Sequence, residues 1–148
     1  MRILEAQNAV LTNVEVNTFL TEQAKQYQAE KRRGPANLER IRGETLKYFE
    51  TFPNPLSQKP PPFDVPAIPV LLEKLQPYKI TKGECIMLVN LRPNSTAALN
   101  AILEYMTERY SEQQQEEILA IITEVMGEFP APEEGAEEDM METSENGA

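Results

Sequence analysis

Seven of the chain's 12 prolines fall between Pro53 and Pro69, and this cluster limits what the remainder can fold into. Proline fixes φ, lacks a backbone donor and clashes with the preceding helical turn, so no helix or central strand runs through such a stretch. Residues 53–65 are therefore expected as an extended, polyproline-like linker, with Pro66 and Pro69 at the opening of the next helix. The PxxP spacing within it also fits an SH3 ligand, but a spacer is the preferred reading. The boundaries that follow are an N-terminal part over 1–52, the linker over 53–65, a second part over 66–129 and a tail over 130–148.

The N-terminal part opens with an arm in which Ile3, Leu4, Val10 and Leu11 lie among polar residues without helical spacing. Asn13 is suited to cap a helix whose stripe is Val16, Phe19, Leu20 and Tyr27. Gly34-Pro35 stops that helix. A second helix follows, with Leu38, Ile41, Thr45, Tyr48, Phe49 and Phe52 at three- and four-residue steps. Two helices bury little on their own, so this half is expected to need a partner surface.

Four helical segments are expected after the linker. The first carries Val70, Leu71, Leu72 and Leu75 and ends at Pro77. The second starts at a capping box, Thr81 and Glu84, in which each side chain satisfies the other's backbone donor. The third is predicted to run from about Ser95 to Arg109, with Leu99, Ile102, Leu103, Met106 and Tyr110 as its stripe. The fourth opens on a second capping box, Ser111 and Gln114, and presents Ile118, Ile121, Ile122, Val125 and Met126. Short connections favour a compact bundle, and no segment sustains a period of two. The fold class is all-α.

Charge is divided unevenly. Of 24 acids, seven lie between Glu133 and Glu145 with no base among them, leaving 17 acids against 14 bases over residues 1–132. The tail is too charged and too poor in large apolar groups to offset the entropy of ordering, and is expected to be disordered. A nearly neutral body argues against a protein that wraps DNA. Residues 25–47 are the exception, with seven bases against three acids beside Tyr27 and Tyr48. That patch fits a nucleic acid or an acidic protein, or simply a solubilised turn.

Several chemistries are excluded by composition. The chain has no His, which removes Ser-His and Cys-His nucleophile pairs and His-ligated zinc. Cys85 is the single cysteine, so there is no internal disulfide or thiolate cluster. It reads as a small core residue. Glu104, Glu108, Glu112, Glu116 and Glu117 read as solvated helix faces, favoured near a helix N-terminus, ahead of any catalytic pair. No apolar run approaches the ~20 residues of a membrane span, and a signal peptide, a lipid anchor, a metal and a cofactor are not expected.

Three stretches carry a family likeness. "ILEAQNAVLTNVEVNTFL" resembles an opening arm and a helix start with Leu11, Thr12, Asn13, Glu15 and Val16 at its motif positions. "ETLKYFE", Glu44 to Glu50, resembles the short helix before the linker. "ITKGECIMLVNLRP", Ile80 to Pro93, followed by "ILEYMTERYSEQQQEEILAII", is similar to a C-terminal pattern of the form LTK.E...L.N.RP. Together they resemble the stalk subunits of RNA polymerases, the family of the RNA polymerase II fourth subunit and its archaeal counterpart. Within it the likeness is to the RNA polymerase III branch, whose animal members are also described as a calcitonin-gene-related-peptide receptor component.

The resemblance implies an arm and helices followed by a bundle like the helicase-and-RNaseD C-terminal (HRDC) domain. It implies a nuclear, non-catalytic subunit without a cofactor. The implied partner is a seventh-subunit-like stalk protein with an oligonucleotide-binding fold. The heterodimer would project from the RNA polymerase III core, dock initiation factors and leave room for indirect contact with nascent RNA. Ile3, Leu4, Val10, Leu11, Val16, Phe19 and Leu20 are then the partner-binding candidates. Thr81, Glu84, Leu88, Asn90 and Arg92 form the bundle motif, with Leu88 buried, Asn90 suited to a left-handed cap at the helix end, and Arg92 either fixing that end or lying on a docking face. An independent nucleic-acid-binding module and a receptor-associated adaptor are the alternatives.

Overall fold

Side-chain oxygens set four of the helix starts. Thr12, Thr81, Ser95 and Ser111 each accept the backbone N–H three residues on, and in all but Ser95 the third residue returns the bond. This satisfies donors that the first helical turn leaves open. The computed structural model describes residues 4–6 and 8–128, so Ile3 and the acidic tail lie outside it. Among the described residues every regular element is helical.

The first helix, α1 (Asn13–Ala29), is capped by Thr12 and not by the expected Asn13. Glu15 decides this, because its carboxylate accepts the Thr12 N–H at 2.7 Å while Thr12 Oγ1 accepts the Glu15 N–H. Asn13 becomes the first helical residue, and its backbone N–H donates to Asn90 Oδ1 at 2.8 Å. The second helix, α2 (Ala36–Phe49), pairs with α1 across a turn at Gly34. A Cβ at Gly34 would lie 2.9 Å from both the Tyr27 ring and the Glu39 carboxylate, so any side chain there would have to displace them.

The proline stretch is more than a spacer. It forms a 3₁₀ turn at Pro55–Ser57, with Asn54 accepting the Leu56 N–H, and it buries Pro55, Leu56 and Phe63. Large apolar side chains gain ~1.5–3 kcal/mol each on burial, enough to draw the segment onto the body. Buried side chains consequently form one cluster, from Val14 and Phe49 through Leu56 and Phe63 to Leu71 and Ile118. Part of the surface that α1 and α2 need is supplied by their own chain.

The C-terminal part consists of α3 (Ala67–Leu75), a 3₁₀ turn at Gln76–Tyr78, α4 (Lys82–Leu91), α5 (Thr96–Asn100), α6 (Met106–Arg109) and α7 (Glu112–Met126). α7 packs on α3 and α5, with Ile118, Ile122 and Met126 meeting Leu71, Leu75 and Leu99 in the interior. The helix expected over 95–109 is broken into α5 and α6, with Tyr105 left-handed at φ 52°. The cause is tertiary. Glu84 Oε1 accepts the Glu104 N–H at 3.1 Å and Arg109 Nη1 donates to the Glu104 carbonyl at 2.9 Å, so both groups are taken from the helical ladder.

Candidate partner-binding surface

Four of the twelve exposed large apolar side chains among the described residues lie on the arm and α1. Leu4 is 90% exposed, Phe19 58%, Leu11 53% and Val10 50%. Val16 and Leu20, from the same stripe, are half-buried, and Val16 packs against the core. The structure thus splits the seven candidates: four outward, two partly used by the chain itself, and Ile3 outside the described residues. Val10 also lines a groove of about 540 Å³ with Ile68 and Leu72 of α3 and Ile86 and Val89 of α4. Leu72, which also lines the groove, is 43% exposed and was not separable from the core positions of its helix by spacing alone.

Helix α2 departs from its predicted stripe. Only Phe49 is buried; Ile41 and Tyr48 are 56% and 64% exposed, and Phe52, just past the helix end, is 60% exposed. Tyr48 and Phe52 line a second groove with Pro53, Leu91 and Asn94. Sequence periodicity identified this side as apolar without saying whether the chain or a partner covers it.

The bundle motif is an electrostatic joint. Glu84 is 5% exposed and accepts from the Thr81 N–H, the Thr81 hydroxyl, the Glu104 N–H and both terminal nitrogens of Arg109. Burial alone would push its carboxyl up, but these donors outweigh it and hold it at about 2. Arg109 reaches further, donating to the Tyr110 hydroxyl at 2.7 Å and the Lys79 carbonyl, while the Tyr110 hydroxyl donates to the Tyr78 carbonyl. Tyr110 is buried, as its place on the apolar stripe suggests, but the role of Arg109 was not recognised from sequence, because its partner Glu84 lies 25 positions away, beyond any helical spacing.

Leu88 is fully buried, and Asn90 accepts from Asn13. Arg92, and not Asn90, takes the left-handed position at the end of α4, with φ 44°. It is 2% exposed, and its Nη1 donates to the Met126 carbonyl at 3.1 Å, capping α7, while Nη2 donates to Gln58. Burial pushes the guanidinium pKa down. A buried Arg that ties α4 to the end of α7 and to the proline segment has a structural role.

The basic stretch is partly neutralised. Arg42 is buried and paired with Glu39, Arg40 pairs with Glu44, and Arg32 lies over the Tyr27 ring at 4.3 Å and near Glu30. Cys85 is buried, and its thiol pKa is pushed up by burial and by Glu84. Glu117 accepts the Tyr78 hydroxyl at 2.8 Å on an open face. No described helix is long and apolar enough to cross a membrane, and no described acid or thiol cluster has the grouping to hold a metal.

The described residues define an all-helical fold, in which an apolar core and buried polar groups tie the helices together while several large apolar side chains stay exposed. The RNA polymerase Rpb4 family matches residues 10–126, and the chain belongs to that family. It is 31% identical over 137 residues to the DNA-directed RNA polymerase III subunit rpc9 of Schizosaccharomyces pombe, covering 88% of this chain and all of that protein.

Proposed function

We propose that the chain is a non-catalytic stalk subunit of DNA-directed RNA polymerase III, acting in the nucleus. The observation that carries this is the match, over 88% of this chain and all of the relative, to a protein named as a subunit of that polymerase. Its arm and α1, through Leu4, Val10, Leu11 and Phe19, form the surface for a seventh-subunit-like partner with an oligonucleotide-binding fold. Exposed apolar area of this kind, on a chain with a well-packed core, is what a permanent partner covers. Residues 66–128 form the HRDC-like bundle, and the resulting heterodimer docks initiation factors.

Affinity purification of the full chain from nuclear extract, with mass spectrometry of what is retained, tests this reading. RNA polymerase III core subunits and one oligonucleotide-binding-fold protein are expected at equal stoichiometry. Recovery of nucleic acid or membrane receptors without polymerase subunits would instead support the module or adaptor readings. The internal pairing of Arg32, Arg40 and Arg42 leaves the nucleic-acid module less well supported.

A further inference from the structure

Three exposed apolar side chains from separate stretches of the chain line one groove, and none of them belongs to the arm surface. Tyr48 of α2, Phe52 just past its end and Leu91 at the end of α4 are 64%, 60% and 58% exposed. The groove has a volume of about 310 Å³ and runs between α2, the proline segment and α4. Among its described lining residues there is no carboxylate. The one cation, Arg92, is 2% exposed, with Nη1 on the Met126 carbonyl and Nη2 on Gln58. The polar groups are mostly amides, two of them held in one orientation. A backbone N–H can be met only by the carbonyl end of an Asn side chain. Asn54 Oδ1 accepts the Leu56 N–H at 2.9 Å and Asn90 Oδ1 accepts the Asn13 N–H at 2.8 Å, so each Nδ2 is the uncommitted end. The groove thus pairs aromatic faces with hydrogen-bond donors and offers no available charge.

We propose that this groove binds a proline-rich segment of a partner protein in the polyproline II conformation. Such a segment has the complementary chemistry. Its prolines carry carbonyl acceptors and no N–H that would need an acceptor in the groove. The Asn54 and Asn90 amides supply the donors, and the Tyr48 and Phe52 rings supply the apolar faces on which proline rings pack. The segment is ordered before it docks, so little entropy is lost on binding. Single-stranded nucleic acid would stack on the same rings, but its phosphates would find no accessible cation among the described lining residues. A charged peptide lacks a counter-charge for the same reason. The proposal does not depend on which partner covers the arm.

The test titrates the full chain into a fluorescein-labelled, end-capped decaproline peptide and follows anisotropy, with amide chemical shifts of the protein reporting the location. Saturable binding is expected, with shifts at Tyr48, Phe52, Leu91 and Asn94, and no binding of a glycine-serine peptide of equal length. Tyr48→Ala removes an exposed ring and should weaken binding about tenfold or more while leaving the melting temperature unchanged. Asn54→Asp keeps an oxygen for the Leu56 N–H but replaces the Nδ2 donor with a second acceptor. It should weaken binding about fivefold with the fold intact, an effect that a merely apolar patch would not show. No saturation up to about 1 mM protein, or undiminished binding by Tyr48→Ala or Asn54→Asp, would overturn the proposal. Displacement of the peptide by an oligothymidylate would overturn it in favour of nucleic acid, and self-association abolished by Tyr48→Ala in favour of a second copy of this chain.

Discussion

Glu84 and Arg109 meet at 2.6 Å across 25 residues of sequence, and their pairing holds open the break between α5 and α6. Removing Arg109 leaves the Glu84 carboxylate buried without its counter-charge. Loss of one member of a buried pair costs about 3–5 kcal/mol; Arg109 is partly exposed, so Arg109→Ala is expected at the lower end. Urea denaturation of the variant reads this directly, and an unchanged midpoint would contradict it.

The same carboxylate makes the bundle acid-sensitive. Its pKa is about 2 in the folded chain against a usual 4.5, so its stabilising contribution is whole above pH 4.5 and disappears as pH falls through 2. By proton linkage that contribution is roughly 3 kcal/mol. Glu84→Gln should lower stability at neutral pH and flatten its dependence on pH between 4.5 and 2. A variant with the parental slope would show that other acids carry the transition.

Arg92 joins three segments, and Arg92→Ala should cost about 1–3 kcal/mol by leaving the Met126 carbonyl without a donor. Partner binding should weaken only in step with the melting temperature. Because the position is left-handed, Arg92→Gly should be milder than Arg92→Ala by ~0.5–1 kcal/mol, glycine tolerating that backbone without a steric penalty. A stable Arg92→Ala chain with poor initiation-factor recruitment would return Arg92 to a docking face.

Surface and core should separate cleanly. Phe19→Ser and Leu11→Ser remove exposed side chains and are expected to shift stability by no more than about 0.5 kcal/mol, yet to reduce recovery of the oligonucleotide-binding-fold partner. Leu88→Ala, in the interior, should cost ~2–5 kcal/mol and lower both. Calorimetry paired with co-purification distinguishes the two classes, and full partner recovery by Phe19→Ser would remove α1 from the interface.

Much of the fold was legible because it is written in local chemistry. Thr81 with Glu84, and Ser111 with Gln114, announce helix starts within four residues. The Ile118–Met126 stripe likewise names its buried face. What escaped was non-local. Nothing in the 95–109 segment reveals that Glu84 will claim the Glu104 N–H. Periodicity marks Tyr48 and Phe52 as apolar but does not say whether the chain or a partner covers them. The outward part of the arm was legible for the opposite reason, since Leu4 and Leu11 have no helical spacing with which to be buried.

The bond from the Asn13 N–H to Asn90 Oδ1 makes the two sides of the proline segment poor candidates for exchange. Joining the first 52 residues of one relative to the remainder of another tests more than the splice point. Such a chimera inherits residue 13 from one parent and residue 90 from the other, and Leu56 and Phe63 must fit cores they did not arise beside. Recombination within this family is therefore expected to succeed near residue 128, beyond Arg92's hold on α7, and to fail in the proline-rich stretch that looks like the natural seam.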